Sequence, residues 1–564
     1  MTTDRNKSML SPGAFRSVCF WGFLLALLVL TFAAFCANGR FLGIDDAHIF
    51  FDYAENLCRG NGITYSNNGI RVEGCTSMLW LLVCTINFYL GLNEAGVFAC
   101  CVILLLAAQK IWVGVLDALT EGSDSSAVYR LSYCVMILSS YGYVAWMTVT
   151  CMDLALWGFL LAWMTNVFLR AVTQKGCGIF DAVPFALAPL CRPEAMFLCP
   201  ACLALVLASS LLHGKSASKA VLPGLAFLVS VSVLTIFRLS YFGYPFPNTY
   251  YAKVSPSLLY NLQTGFVYAA RYMLAGVAPC LVCICFLVKG VSFLPILFSP
   301  SRWKAISPRD FLWLWGMSLF LPPILTGGDH FLLFRFYQAQ YPLFCILAVV
   351  AMLPLLKLER SPARRLLFGA GLAAFAAFAW RHALSWEGAF GDNTALGKEF
   401  GIARNGMEGG RAFTSLFNDL ATKPTIGVVS AGGFARTYSG KVTDLLGLND
   451  LTIAHAPGER KGMKNHAAFE VGLFGLLDVD IMPFAPDEFM QQILKGLFTN
   501  ETFVASWRYG TLRKGDASGE ARQVLISRRA LEPLLKTASF EFTDDMVWNG
   551  NEWRIVSGCG GKVK

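Results

Sequence analysis

The chain has 564 residues, 55% of them hydrophobic and 15% charged, with 45 phenylalanines. That apolar content is beyond a soluble domain and selects a polytopic membrane protein. The net charge of +9 does not point to nucleic acid: most of the excess sits in short loops beside apolar runs, and no base-reading or single-strand-binding pattern accompanies it.

The first apolar run, 18–36, follows Arg5, Lys7 and Arg16. At about 20 residues it is long enough to span a bilayer, and longer than the core of a cleaved signal. It reads as an uncleaved first helix with a cytoplasmic N-terminus. A polar but patterned stretch follows at 44–80. Read as a helix from Asp45, it places Ile49, Phe50, Tyr53 and Leu57 on one face and Asp45, His48, Asp52, Glu55 and Arg59 on the other. Asp46 falls within the apolar face. A carboxylate there either caps the helix N-terminus or faces a partly desolvated cavity that raises its pKa and suits it to proton abstraction.

Further apolar runs lie near 76–92, 96–118, 128–149, 154–170, 179–191, 195–212, 220–240, 266–289, 311–326, 338–356 and 365–381. Arg170 with Lys175, Lys215 with Lys219, the group Lys289, Arg302, Lys304 and Arg309, and the group Lys357, Arg360, Arg364 and Arg365 mark four cytoplasmic loops. The segments between them, 192–194, 241–265, 327–337 and everything after about 382, are then external. Parity demands an even number of crossings between the loop at 44–75 and an external Asp153, yet three runs intervene, so one of them is not a full span. The expected total is about eleven transmembrane helices.

Residues 382–564 carry charges of both signs, Gly-rich turns and no long apolar run, which predicts a soluble α/β domain on the outer face. Within it 422–440 reads as a buried strand and a Gly turn, with further short strands at 478–482 and 523–526. The Gly432–Gly433 turn resembles half of a nucleotide-binding turn but lacks its full spacing. The expected division is a membrane catalytic domain at 1–381, containing a first external loop at 37–75, and an extracytoplasmic domain at 382–564.

Most of the 18 cysteines lie inside apolar runs, where Cys behaves as a small apolar residue. Cys280 and Cys283 have redox or zinc spacing but lie mid-membrane with no partner pair. Cys58 and Cys75 share the first external loop. A disulfide between them and a pair of thiols are both open alternatives.

The external loops share one property: ionisable or aromatic residues stand at helix ends. The first has Asp45, Asp46, Arg71 and Glu73; then come Asp153 and the triplet Arg192-Pro193-Glu194. The segment YFGYPFPNTYYAK (241–253) carries Tyr241, Tyr244, Tyr250, Tyr251 and Lys253, and GGDHFLLFRF (327–336) carries Asp329, His330 and Arg335. Singly, an ion pair or an interfacial aromatic belt accounts for each. Together, charges that are costly at membrane depth converge on one face and describe a cavity for a lipid-linked anion beside a polar acceptor. Arg and Lys hold a phosphate, aromatics pack a sugar ring or a polyprenyl chain, and a carboxylate takes a hydroxyl proton.

These residues carry a resemblance. The segments DDAHIFFDYAENLCRGNGITY with RVEGCTSMLW, CRPEAMFL (191–198), FGYPFPNTYYAK (242–253), GGDHFLLFRF and DLLGLND (444–450) occur in the order found in GT-C-type, polyprenyl-phosphate-sugar-dependent glycosyltransferases. The chain most closely resembles the terminal arabinofuranosyltransferase family of bacterial cell-wall arabinan. The resemblance implies a plasma-membrane enzyme with its active site at the outer leaflet, a polyprenyl-phosphate sugar donor, and a cell-envelope glycan acceptor held partly by the C-terminal domain. It implies Asp45 or Asp46 as catalytic base, and Arg335, Lys253, Arg192 and His330 at the donor phosphate. Glu73, Asp153, Glu194, Asn248, Tyr251, Asp329, Asp444 and Asn449 are the implied substrate-binding residues. The resemblance fixes no cofactor. Some enzymes of this class use a divalent metal, and Asp45, Asp46 and Asp329 offer hard oxygen ligands for Mg, Mn or Ca; a site with no metal is the equal alternative. Cys75 stands where the family pattern has an aromatic, and GERKG (458–462) replaces an expected His-Glu-Lys arrangement. Both departures bear on the sugar and the acceptor.

Two other readings compete. A lipid-linked-glycan transporter or flippase would spread polar residues through the membrane depth and carry an internal repeat, and neither pattern is present. The same chemistry could also act on lipopolysaccharide or protein.

Overall fold

The computed structural model describes residues 12–67, 69–121, 126–173, 178–275, 277–297, 299, 306–331, 333–356, 364, 367–371, 374, 395–461, 468–515, 520–537 and 539–556. The chain is a mostly helical polytopic membrane protein with a C-terminal α/β domain. Among the described residues five helices are long and apolar enough to cross a membrane: Ser17–Ala37, Asn93–Thr120, Leu154–Val172, Ala195–Leu212 and Ser218–Tyr241. The bent pair Leu258–Leu274 and Pro279–Val291 makes a sixth if taken as one span. Met78–Tyr89, Ser126–Leu138, Ile179–Cys191, Asp310–Leu325 and Tyr341–Pro354 are apolar but shorter. Of the three runs that raised the parity problem, 76–92 forms only the 12-residue helix Met78–Tyr89. The run at 128–149 breaks at Ser139 and Ser140 into Ser126–Leu138 and Tyr141–Met147, where the Ser140 hydroxyl accepts from the Tyr143 N–H and starts the second helix. The run at 365–381 and the expected boundary at 381 fall mostly outside the described residues.

By packing, the chain forms two compact units, both discontinuous in sequence. One contains Met1–Leu42, Ala95–Val233 and Leu262–Lys398. Its interior is built on large rings, with Trp112, Trp146, Trp315, Tyr133, Tyr143 and Phe168 fully buried. Polar side chains there bond across helices, since lipid supplies no partner. Gln109 donates to the Tyr143 hydroxyl at 2.7 Å and accepts from the Tyr133 hydroxyl at 2.6 Å, and the Trp315 indole N–H reaches the Thr165 hydroxyl at 3.0 Å.

The other unit contains Gly43–Glu94, Leu234–Asn261 and Glu399–Lys564. It holds a seven-stranded sheet in the order β2-β1-β3-β5-β4-β6-β7. The strands are β1 (Ile426–Val428), β2 (Val442–Asp444), β3 (Ile481–Met482), β4 (Trp507–Lys514), β5 (Ala521–Ser527), β6 (Phe540–Trp548) and β7 (Trp553–Ile555). β1 runs parallel to β2 and β3, and the rest pair antiparallel. The expected strands at 422–440, 478–482 and 523–526 are β1, β3 and β5. The expectation missed β4 and β6, the longest strands, because Thr511, Arg513, Glu541, Thr543 and Asp545 give them polar outer faces. The external segments that begin near 44 and near 241 belong to this unit as far as Asn261.

Candidate functional site

The helix Asp45–Cys58 starts where expected, but its two faces are not one wet and one dry. Asp45, His48, Asp52 and Asn56 are buried along with Ile49, Phe50 and Tyr53. The polar side is covered because the helix packs on Ala431–Thr437 of the C-terminal domain. Asp45 does not cap its own helix: Ile44 is the N-cap and no side chain bonds there. Its carboxylate instead accepts from the Gly432 N–H at 3.0 Å and the Gly433 N–H at 2.9 Å, closing the first turn of 431–437. The half-nucleotide turn is thus occupied by a carboxylate of the chain itself. A Cβ on Gly432 would lie 1.9 Å from the Asp45 carbonyl oxygen, so the close approach requires glycine. Asp46, expected on the dry face, is half-buried.

The remaining polar residues of this helix tie down its surroundings. The Ser66 N–H donates to Asp52 at 2.7 Å, and the Asn56 amide donates to the carbonyls of Thr64 and Ser66 at 2.9 Å each. Arg436 bonds Glu55 at 2.6 Å, Glu94 at 2.7 Å and the His48 ring at 2.8 Å, and lies over Phe51 and Phe88. Burial pushes Asp45 up to about 6 against the bonds from Gly433 and Gly432, and Asp52 up to about 7 against the bond from Ser66.

Other expected substrate residues form internal joints of the same unit. The Glu73 carboxylate takes a two-pronged bond from Arg238 at 2.6–3.0 Å; burial raises its pKa against that partner. The Asn248 amide donates to the carbonyls of Gly447, Leu448 and Asp450 at 2.9–3.2 Å. Asp444 accepts from the N–H groups of Leu446 and Asn449, and Asn449 accepts from the Tyr53 hydroxyl at 3.1 Å. Burial lifts Asp444 to about 6. Lys253 ends the short helix Asn248–Lys253 and is half-buried, as is Tyr251. The alternative of a Cys58–Cys75 disulfide is corrected: the two are not bonded, Cys58 being exposed with its thiol 3.6 Å from the Thr85 carbonyl and Cys75 buried.

Three of these carboxyls sit above their unfolded values of about 4. The folded unit therefore binds more protons than the unfolded chain as each group titrates. Their contribution to stability is full at acid pH and is lost as pH rises through about 6 for Asp45 and Asp444 and about 7 for Asp52. The melting temperature of the purified chain should fall over that window. Asp52→Asn, which keeps an acceptor for Ser66, should flatten the upper part; an unchanged slope would assign it to other groups.

In the helical unit a second cluster forms. Arg192 bonds Asp153 at 2.8 Å and Glu194 at 2.9 Å, so the expected local pair is a triad. Arg335 bonds Asp329 at 2.7 Å, and the Asp329 carboxylate also takes the His330 N–H at 2.9 Å. The Arg335 guanidinium is 4.3 Å from the Phe331 ring, 5.2 Å from Phe336 and 5.9 Å from Trp146, and Arg192 shares the Phe336 ring at 5.5 Å. Leu333 and Phe334, just before Arg335, both hold positive φ (59° and 51°). That conformation is uncommon for residues with side chains and recurs where a functional group is held in place. Both arginines are buried, at 7% and 6% exposure, which membrane surroundings tolerate only for paired or functional charges. Among the described residues no three His, Cys, Asp or Glu side chains gather as a metal set.

Sequence reasoning missed Arg238, Glu94 and Arg436, and it placed His48 and Glu55 on a polar helix face without their partner Arg436. Arg238 had a signal, a cation closing an apolar run opposite the loop carboxylates. Arg436 had none, since its partners lie more than 300 residues away.

No protein-family model matches the chain, and no curated protein sequence does. Solved structures do. The oligosaccharyltransferase of Archaeoglobus fulgidus in its apo form is similar at 11% identity over 89% of this chain and 74% of that one, with a TM-score of 0.50. ArnT from Cupriavidus metallidurans, bound to undecaprenyl phosphate, is similar at 13% identity over 74% of this chain and 85% of that one, with a TM-score of 0.47. The first likeness shows the fold: the chain shares the membrane architecture of that structure.

Proposed function

We propose that the chain is a membrane glycosyltransferase that moves a sugar, arabinofuranose in the finer reading, from a polyprenyl-phosphate donor to a cell-envelope glycan. The observation that carries this is the buried arginine pair, Arg192 and Arg335, held by Asp153, Glu194 and Asp329 around the Phe336 ring. Fixed cations ringed by aromatic faces in a membrane unit suit a phosphate whose lipid tail is apolar. In this reading Arg335 takes the donor phosphate, with Arg192 and His330 supporting. Asp45 or Asp46 removes the acceptor hydroxyl proton. The hydroxyl oxygen bonds to the anomeric carbon as the bond to the phosphate oxygen breaks, and the departing lipid phosphate keeps that electron pair and is stabilised by the cations. The N-terminus is cytoplasmic and the α/β domain extracytoplasmic.

The test is a transfer assay with the purified full chain, a synthetic polyprenyl-phosphate arabinofuranose and a short arabinan, following product by mass. Product formation supports the reading. Transfer only from a hexose donor would correct the sugar, and absence of binding to any polyprenyl-phosphate sugar would overturn the donor class.

A further inference from the structure

Four aromatic rings and one imidazole gather where the segment 241–253 meets the loop 454–460. Tyr244 stacks on His455 at 3.9 Å, and Tyr251 lies 4.2 Å from the same ring. Phe246 and Tyr250, 5.0 Å apart, adjoin Tyr251 and are 48% and 44% exposed. The loop is clipped by Arg460, whose Nε donates to the Tyr251 carbonyl at 3.0 Å and whose Nη2 donates to those of Ala454 and Ala456 at 2.9 and 2.6 Å. Arg460 is 7% exposed and itself holds a φ of 51°. Its Nη1, like the His455 Nε2, has no hydrogen-bond partner among the described residues.

A buried guanidinium N–H without an acceptor is costly and calls for an explanation. The neighbouring carboxylate, Glu470, is bonded by Lys495 at 2.5 Å. A Cβ at Gly458 would lie 2.7 Å from Nη1, and Gly458 has no positive φ. Glycine at that position therefore serves space rather than backbone conformation: a side chain there would press on Nη1. Exposed rings beside a few unsatisfied polar atoms are the make-up of a site for a ligand with one apolar face and an oxygen rim. A sugar ring has both.

We propose that this cluster is an acceptor-saccharide subsite, in which a sugar packs on Phe246 and Tyr250 and an exocyclic oxygen accepts from Arg460 Nη1 beside His455. It rests on the transfer reading above and adds to it Phe246, Tyr250, His455, Gly458 and Arg460. The rim oxygen is a hydroxyl or a carboxylate, two sources of one chemistry.

The test uses the full chain in nanodiscs, the double variant Phe246→Ala/Tyr250→Ala, and Gly458→Ala, which fills the space at Nη1 without straining the backbone. Binding of a neutral arabinofuranose oligosaccharide and of a uronic-acid oligosaccharide is followed by saturation-transfer NMR, alongside acceptor KM, kcat, donor-lipid binding and thermal unfolding. The double variant should weaken saccharide binding and raise acceptor KM roughly tenfold, the loss expected of two stacked rings, and Gly458→Ala should shift both in the same direction, with kcat and donor binding unchanged. A carboxylate rim oxygen would make the uronic acid the tighter probe and the more sensitive to Gly458→Ala. Unchanged saccharide binding in both variants overturns the subsite, and lost association with lipid in the double variant instead would make the rings a membrane belt. Saccharide binding by a wild type that binds no donor would sink the transfer reading while leaving this one standing.

Discussion

Gly432→Ala should destabilise the unit that carries the sheet by roughly 3–5 kcal/mol, read as a lower melting temperature and faster proteolysis at the loop 59–67. The added Cβ would stand 1.9 Å from the Asp45 carbonyl oxygen, a backbone atom that cannot swing aside. Relief requires the helices 45–58 and 431–437 to part, which stretches both N–H bonds to the Asp45 carboxylate. Those bonds run to a charged acceptor and offset the cost of burying it. Asp45→Ala attacks the same joint from the other side and leaves two buried N–H groups without an acceptor. Asp45→Asn keeps one acceptor and should cost less than either. If Gly432→Ala melts with the wild type, the approach of the two helices is looser than the geometry requires.

The same joint explains what was legible in the sequence. The start of the helix at Asp45 was readable, because its apolar residues recur at helical spacing. Its burial was not: periodicity assigns His48 and Asp52 to water, and only contact with a segment nearly 400 residues later makes them interior. The Gly pair at 432–433 was readable as a turn that cradles an anion, but the anion belongs to the chain. Asn248, Asp444 and Asn449 stood out as polar residues in patterned loops. Such residues are selected equally by ligands and by backbone carbonyls that need donors, and here Asn248 serves three carbonyls. The arginine cluster was the more legible part, since cations at the ends of apolar runs have few other uses. The antiparallel strands were hidden by polar outer faces, a weaker signal than the buried parallel β1.

Exchange of the proposed base and of the proposed phosphate ligand should separate two steps of transfer. Asp46→Asn removes a proton acceptor while nearly preserving shape, so turnover should fall about 10²–10⁴-fold with donor binding intact. Asp45→Asn, on a carboxylate committed to two N–H groups, should change stability more than turnover. For the phosphate, Arg335→Ala is a poor probe: it strands Asp329, only 3% exposed at its side chain, and breaking a buried pair costs about 3–5 kcal/mol of stability. Arg335→Lys keeps the charge beside Asp329 but loses the planar fork and its packing on Phe331 and Phe336. It should fold and weaken donor binding roughly 10–100-fold, the loss of one or two charge-assisted hydrogen bonds. Product mass gives turnover and titration with the polyprenyl-phosphate sugar gives binding. A lysine variant with wild-type affinity would remove Arg335 from the phosphate, and an Asp46→Asn enzyme with full turnover would return the base to Asp45 or to another group.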